Sequence, residues 1–140
     1  MAKWVLTTAL VIVCVALAVS FQACAASKDG KGATEMIPSG KLVDGVRVVE
    51  VTANDYKFIP DVIVVNEGER VRLDITAVDK EHGISIPAFN VDKVLPKGKT
   101  ESVTFDADKV GKNGFRCSVF CGIGHAAMKG ELVVLARKPA

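Results

Sequence analysis

The chain has 140 residues, a formal net charge of +2 and charged side chains at 24% of its positions. This length accommodates one domain of ordinary size together with a short terminal segment. After Lys28, acidic and basic residues are interspersed and form no basic cluster. The composition therefore excludes a nucleic-acid-binding surface, which requires clustered positive charge, and we expect no nucleic-acid partner.

Residues 1–27 are an apolar segment that anchors or targets the protein. Lys3 is the only charged residue before Lys28, and a bilayer is spanned by roughly 20 apolar residues. Three interpretations fit: an uncleaved membrane helix, a signal peptide cleaved among the small residues at 23–26, or a lipoprotein signal with the lipid on Cys24. We favour the anchor, because the apolar run is longer than a signal-peptide core of about 7–15 residues. Each interpretation places the remaining chain across the membrane, so we expect a periplasmic domain at the cell membrane, with secreted and lipid-anchored forms as alternatives.

Residues 28–45 are polar and rich in glycine, which predicts a linker to a domain at 46–140. Apolar and polar residues alternate at 70–77 and 102–106, and branched apolar runs occupy 48–51, 62–65 and 132–135. These patterns are typical of strands. Turn residues predict turns at 66–68, 96–98 and 111–114. About seven short strands without a helical period predict an all-β fold, an antiparallel β-sandwich.

The segment 117–128 contains the chemistry of a metal site. It lies between two strand-like runs, so we expect a loop at one end of the sandwich. Its donor residues are two thiols, an imidazole and a thioether, from Cys117, Cys121, His125 and Met128. This soft donor set suits Cu(I) and tolerates Cu(II), whereas magnesium or calcium would require carboxylates.

A second histidine, His82, follows the strand predicted at 70–77 and is expected at a sandwich end. The chain contains two histidines in all. If both bind metal, neither is left as a general base, so we predict no catalytic residue. Gly122 and Gly124 allow the tight bend that brings Cys121 and His125 to one metal.

Several kinds of site remain open from the residues alone. Cys117 and Cys121 could form a disulfide in an exported protein. A structural zinc site would use both cysteines and both histidines and leave Met128 unused. A mononuclear blue-copper site would leave Cys117 unused. Two sulfurs could instead bridge two coppers, which would spread the charge change over both metals and keep the rearrangement on reduction small.

The pattern Cys-x₃-Cys-x₃-His-x₂-Met with an upstream histidine resembles the CuA centre of subunit II of haem–copper cytochrome c oxidases. The similarity covers roughly 48–135 and is closest to the short, single-span subunit II of the B-type oxidases; nitrous oxide reductase shares the centre. The resemblance implies a Greek-key cupredoxin fold and a binuclear copper centre. It also implies two bridging cysteines, two terminal histidines and two weak ligands, the last being a methionine and a backbone carbonyl: Cys117 and Cys121, His82 and His125, Met128 and Val119. Many members of the family have a glutamate at the position of Val119.

The resemblance further implies an electron carrier that does no bond chemistry itself. It would accept electrons from cytochrome c or a cupredoxin and pass them to a haem–copper subunit I, with Tyr56 or Phe58 as an aromatic at the point of electron entry. The near-neutral charge predicts docking through apolar surface. The rival is a free-standing periplasmic copper protein, either a copper chaperone or store or a soluble CuA carrier. Phe120, Ile123 and the glycines predict a compact, closed loop, which favours a carrier over a store.

Overall fold

The computed structural model describes residues 35–138, so the anchor or signal segment predicted at 1–27, with Cys24, lies outside the described residues. Within residues 35–138, no helix is long and apolar enough to cross a membrane. The same residues form ten strands and two short 3₁₀ turns, at Pro87–Phe89 and His125–Ala127. The strands are β1 (Lys41–Val43), β2 (Val46–Asn54), β3 (Lys57–Ile59), β4 (Val62–Asn66), β5 (Arg70–Ala77), β6 (His82–Ile86), β7 (Val91–Leu95), β8 (Thr100–Asp106), β9 (Gly111–Arg116) and β10 (Lys129–Leu135).

The strands form two sheets that enclose one apolar core. The first sheet has the order β1-β2-β5-β8, with β3 added to β2, and the second has the order β4-β10-β9-β6-β7. In β5, the alternating residues Val71, Leu73, Ile75 and Ala77 are completely buried, as the period of two predicts. The prediction of an all-β sandwich is therefore confirmed.

The prediction that the sandwich is antiparallel is wrong for two strand pairs. β2 runs parallel to β5, and β4 runs parallel to β10. The alternation of side chains specifies which face of a strand is buried, but it does not encode the direction of the neighbouring strand. The chain reaches these parallel positions by crossing between the two sheets, a step that no local pattern records.

Other local predictions had mixed outcomes. The turns at 66–68 and 96–98 are present, with Gly68 and Gly98 at φ values of 79° and 73°. The turn predicted at 111–114 is wrong, because these residues belong to β9 and pair with β10 despite their two glycines. β1 lies within the predicted linker at 28–45 and pairs with β2. β6 and β7 were not recognised, and His82 is the first residue of β6.

A partly enclosed ion pair joins β2 to the turn before β5. The Arg47 guanidinium donates Nη2–H to Glu69 Oε1 over 2.7 Å and Nη1–H to the Ser39 carbonyl over 3.1 Å. The side chains of Arg47 and Glu69 are only 11% and 16% exposed. The hydrogen bond from Arg47 lowers the pKa of Glu69 to about 2.

Candidate metal centre

Three neighbouring strands of the second sheet bring the predicted ligands together. The sheet order β10-β9-β6 places the start of β6, the end of β9 and the start of β10 at one end of the sandwich. Ser85 of β6 pairs with Arg116 of β9 in an antiparallel register, so His82 lies beside the residues that follow Arg116. The register therefore brings His82 next to the loop at 117–128, although the two are far apart in the sequence.

The two thiols and His82 form the centre of the cluster. Cys117 Sγ lies 3.8 Å from Cys121 Sγ, and a ring nitrogen of His82 lies within 4.8 Å of both sulfurs. His82 is completely buried, and its Nδ1 has no hydrogen-bond partner among the described residues. A histidine that is completely buried, has a ring nitrogen without a protein partner and lies beside two thiols is in the position of a metal ligand.

The three remaining predicted donors surround this centre. His125 Nδ1 lies 3.8 Å from Cys121 Sγ, and Met128 Sδ lies 3.9 Å from the same sulfur. The Val119 carbonyl oxygen lies 3.1 Å from Cys117 Sγ, so the backbone of Val119 presents the oxygen that the resemblance implied. The structure thus places all six predicted site residues in one cluster.

The cluster fits a soft metal ion. Two sulfurs at ~2.3 Å from one ion with tetrahedral angles lie about 3.8 Å apart, and the two thiols have this separation, well beyond a disulfide bond of ~2.05 Å. The nearby thioether of Met128 favours copper over zinc, because zinc sites in proteins use thiolate, imidazole and carboxylate ligands. Burial and the neighbouring Cys117 thiol raise the pKa of Cys121 to about 11. A metal entering the site must therefore displace a thiol proton.

Glycines let the backbone approach closely at two points of the site. A Cβ atom at Gly83 would lie 2.4 Å from Ser118 Oγ and 2.9 Å from the Val119 backbone nitrogen. Only a residue without a side chain lets β6 pack against the segment between the two cysteines. Gly122, at φ +127°, supplies a left-handed bend just after Cys121.

Tyr56 covers the ligand loop. Cβ atoms built at Gly122 and Gly124 would lie 2.5 Å from Tyr56 Oη and 2.2 Å from Tyr56 Cγ, so the ring rests directly on both glycines. Phe58, the other aromatic that the resemblance offered for electron entry, is 1% exposed and packs edge-on against Phe115 in the core. Burial excludes Phe58 from direct contact with a donor protein.

The side chains of Phe120 and Ile123 point to solvent, which corrects one expectation from the sequence. Phe120 is 80% exposed and Ile123 is fully exposed, so neither packs inside the loop. Inside the loop, the Tyr56 ring packs against Gly122 and Gly124 instead. Phe120 lies beside the half-buried His125 ring, with 5.6 Å between the ring centroids. An open groove of about 540 Å³ also borders His125. His125 is therefore reachable from the surface, whereas His82 is not.

Asp79 contacts the site and was given no role by the sequence analysis. Its Oδ1 lies 2.8 Å from His82 Nε2, and its Oδ2 accepts a hydrogen bond from the Asp55 backbone N–H over 3.2 Å. Desolvation alone would raise the pKa of Asp79, but the hydrogen bonds from His82 and Asp55 outweigh it and lower the pKa to about 2. The only signal in the sequence was an acidic residue three positions before a histidine.

Comparison with known proteins identifies the fold family. The model of the cupredoxin-like domain matches residues 10–134. The nitrous-oxide reductase of Cupriavidus necator is 34% identical over 103 residues, which are 70% of this chain and 16% of that protein. The cytochrome c oxidase subunit 2 of Thermus thermophilus is 29% identical over 86 residues, which are 61% of this chain and 64% of that protein.

A solved structure supports the same fold family. A chain of a haem–copper terminal oxidase dimer superposes with a TM-score of 0.60 at 28% identity, covering 72% of this chain and 74% of that chain. The chain spans less than two thirds of the length of the Cupriavidus necator and Thermus thermophilus proteins. The sandwich, the cluster at its end and these matches agree: this chain belongs to the cupredoxin-like domain family and is related to subunit 2 of haem–copper oxidases.

Proposed function

We propose that this domain is a binuclear copper electron-transfer module of the subunit II type. The proposal rests on the convergence of two thiols, two imidazoles, a thioether and a backbone carbonyl at one end of the sandwich. Copper bound there would supply a one-electron redox change. Both histidines of the chain are assigned to the metal, and we expect the domain itself to transfer electrons and to make no bonds.

The burial of the donors supports a carrier over a copper store. Four of the five side-chain donors are buried and His125 is half-buried: His82, Met128, Cys117 and Cys121 are 0%, 1%, 3% and 9% exposed. Buried donors held by a sheet and by Tyr56 exclude water and move little when the charge of the metal changes. A protein that hands copper to others needs ligands that a receiving protein can reach. The rival predicts rapid loss of copper to a Cu(I) chelator such as bicinchoninate, whereas we expect slow loss.

The central test is a metal count combined with spectroscopy on the full chain. Cys14 and Cys24 are replaced by serine so that all bound copper reports on Cys117 and Cys121. After copper loading, we expect two coppers per chain, a purple colour and a seven-line paramagnetic resonance signal. One copper with a four-line blue spectrum, or a colourless protein that retains zinc, would refute the binuclear centre.

Cys117→Ser provides the matched variant for this experiment. It removes one thiol and leaves His82, Cys121, His125 and Met128, which together form the donor set of a mononuclear blue-copper site. We expect a copper count of one and loss of the seven-line signal. Ser118→Ala, at the neighbouring position, should keep the count of two.

We further propose that the donor is a cytochrome c or a cupredoxin and that the acceptor is a haem–copper subunit I. Phe120 and Ile123 offer apolar docking surface beside His125, and the whole chain carries a net charge of only +2. Stopped-flow reduction of the copper-loaded protein by reduced cytochrome c should therefore depend weakly on ionic strength. A steep decline in the rate with added salt would contradict apolar docking.

The proposed location is the periplasmic side of the cell membrane, with the segment at 1–27 as the anchor. Fractionation of cells that express the full chain should place the protein in the membrane fraction, where external protease reaches the domain in spheroplasts. Recovery in the soluble periplasmic fraction would favour a cleaved signal. Loss of membrane association on Cys24→Ser would favour lipid attachment.

A further inference from the structure

The two ring nitrogens of His82 lie in opposite environments. Nε2 lies 2.8 Å from the Asp79 carboxylate, while Nδ1 is buried without a partner among the described residues; a ring nitrogen of His82 lies within 4.8 Å of both cysteine sulfurs. An ionised carboxylate can only accept hydrogen bonds, so the proton of a neutral imidazole resides on Nε2. Nδ1 then carries the lone pair, which is the form that a metal ligand requires.

The same carboxylate also holds the turn that contains Tyr56. Asp79 Oδ2 accepts from the Asp55 backbone N–H, and both Asp55 and Tyr56 adopt positive φ angles, 43° and 66°. Non-glycine residues adopt such angles at an energetic cost and keep them only where surrounding contacts enforce them. The hydrogen bond to Asp79 is one of these contacts.

Lys80 contacts both Asp79 and Tyr56. Its Nζ lies 3.6 Å from Asp79 Oδ2 and 4.7 Å from the centroid of the Tyr56 ring. Tyr56 in turn rests on Gly122 and Gly124 of the ligand loop. One carboxylate is thus connected to both halves of the cluster: to His82 directly, and to the Cys121–His125 loop through the turn and Tyr56.

We propose that Asp79 is a positioning residue for the metal centre, which selects the His82 tautomer with Nδ1 free and holds Tyr56 on the ligand loop. This inference rests on the proposed function, because it assigns Asp79 a role toward the copper that the cluster would bind. In this role Asp79 contacts the ligand His82 and is not itself a ligand of the metal.

The tautomer is measurable without any metal. The chain has two histidines and one tyrosine, so imidazole ¹⁵N signals and a 3-fluorotyrosine ¹⁹F signal are simple to assign. In apo wild type we expect His82 to carry its proton on Nε2. Asp79→Asn keeps the shape, but a carboxamide can accept from or donate to Nε2 and therefore selects neither tautomer. We expect mixed His82 tautomers and a shifted Tyr56 ¹⁹F signal in this variant.

Copper binding provides the second measurement. Loss of an outer contact to a metal-ligating histidine weakens metal binding by about 10–100-fold, and we expect a loss of Cu(I) affinity in this range for Asp79→Asn, with a displaced reduction potential. Asp106→Asn is the matched control, because Asp106 is an exposed carboxylate paired with Arg70 on β5, and it should match wild type. Lys80→Met should move the ¹⁹F signal but leave the His82 tautomer unchanged.

The outcomes separate this inference from the proposed function. Wild-type tautomer, ¹⁹F signal and Cu(I) affinity in Asp79→Asn would overturn the role of Asp79. A tautomer change in Lys80→Met as large as that in Asp79→Asn would also overturn it, because the effect would then reflect general loosening. If wild type binds no copper, the proposed function fails, while the apo tautomer still decides whether Asp79 orients His82.

Discussion

Gly124→Ala tests the contact between Tyr56 and the ligand loop. Gly124 has a φ of −84° and a ψ of 2°, which alanine also adopts, so the backbone itself need not be strained by the change. The new Cβ atom would lie 2.2 Å from Tyr56 Cγ, 2.4 Å from Cδ2 and 2.7 Å from Cβ. Carbon atoms in contact normally lie about 3.5–4.0 Å apart, so the ring or the loop must move by more than ~1 Å.

The expected cost follows from this overlap. Extra carbon atoms in a packed site cost about 1–3 kcal/mol, and we expect the upper end because Tyr56 has little freedom to move. Its φ is 66°, and Lys80 lies against its ring. A loss of about 3 kcal/mol lowers the melting temperature of a domain of this size by roughly 10–20 °C.

Urea unfolding of the apo protein measures the effect, and Tyr56→Ala identifies its cause. The double variant Gly124→Ala/Tyr56→Ala should recover about 2 kcal/mol relative to the sum of the two single changes, because the clash is gone. Gly114→Ala is the matched control, since a Cβ atom there meets nothing within 4 Å, and its stability should stay near wild type. Additive effects in the double variant would show that the Tyr56 ring does not constrain the loop.

Three further changes test the core, the ion pair and the docking surface. Leu73→Ala truncates a completely buried side chain and should cost about 2–5 kcal/mol in urea unfolding; a loss below ~1 kcal/mol would contradict its burial. Glu69, whose pKa is lowered to about 2 by Arg47, stabilises the fold above its ordinary pKa near 4.5, and this contribution is lost as the pH falls from there toward 2. Glu69→Gln should therefore cost about 2 kcal/mol at pH 7, allowing for the remaining solvent exposure of the pair, and little at pH 2; an equal cost at both pH values would refute the charge pairing. Phe120→Ser, with Ile123→Ser as its companion, should slow reduction by cytochrome c while leaving the melting temperature unchanged, because both side chains are exposed; an unchanged rate would place the docking surface elsewhere.

The sequence alone identified the candidate donors of the site and predicted the class of fold. The soft donors at Cys117, Cys121, His125 and Met128 lie close together in the chain, so their spacing was readable without coordinates. The alternation in β5 identified a strand with one buried face, because side chains of a strand point alternately to opposite sides. Local information of this kind depends only on neighbours in the chain.

Long-range relations were decided by the tertiary structure. The alternation of apolar and polar residues shows which face of a strand is buried, but it does not specify the neighbouring strand. Neither the parallel pairs nor the register of Ser85 with Arg116 could therefore be predicted from it. That register brings His82 to the thiols. The contacts of Tyr56 with Gly124 and of Asp79 with His82 likewise join segments that meet only when the sheets pack. The sequence thus determined which candidate donors exist, and the packing of the strands decided that Nε2 of His82 contacts Asp79 while Nδ1 has no partner among the described residues.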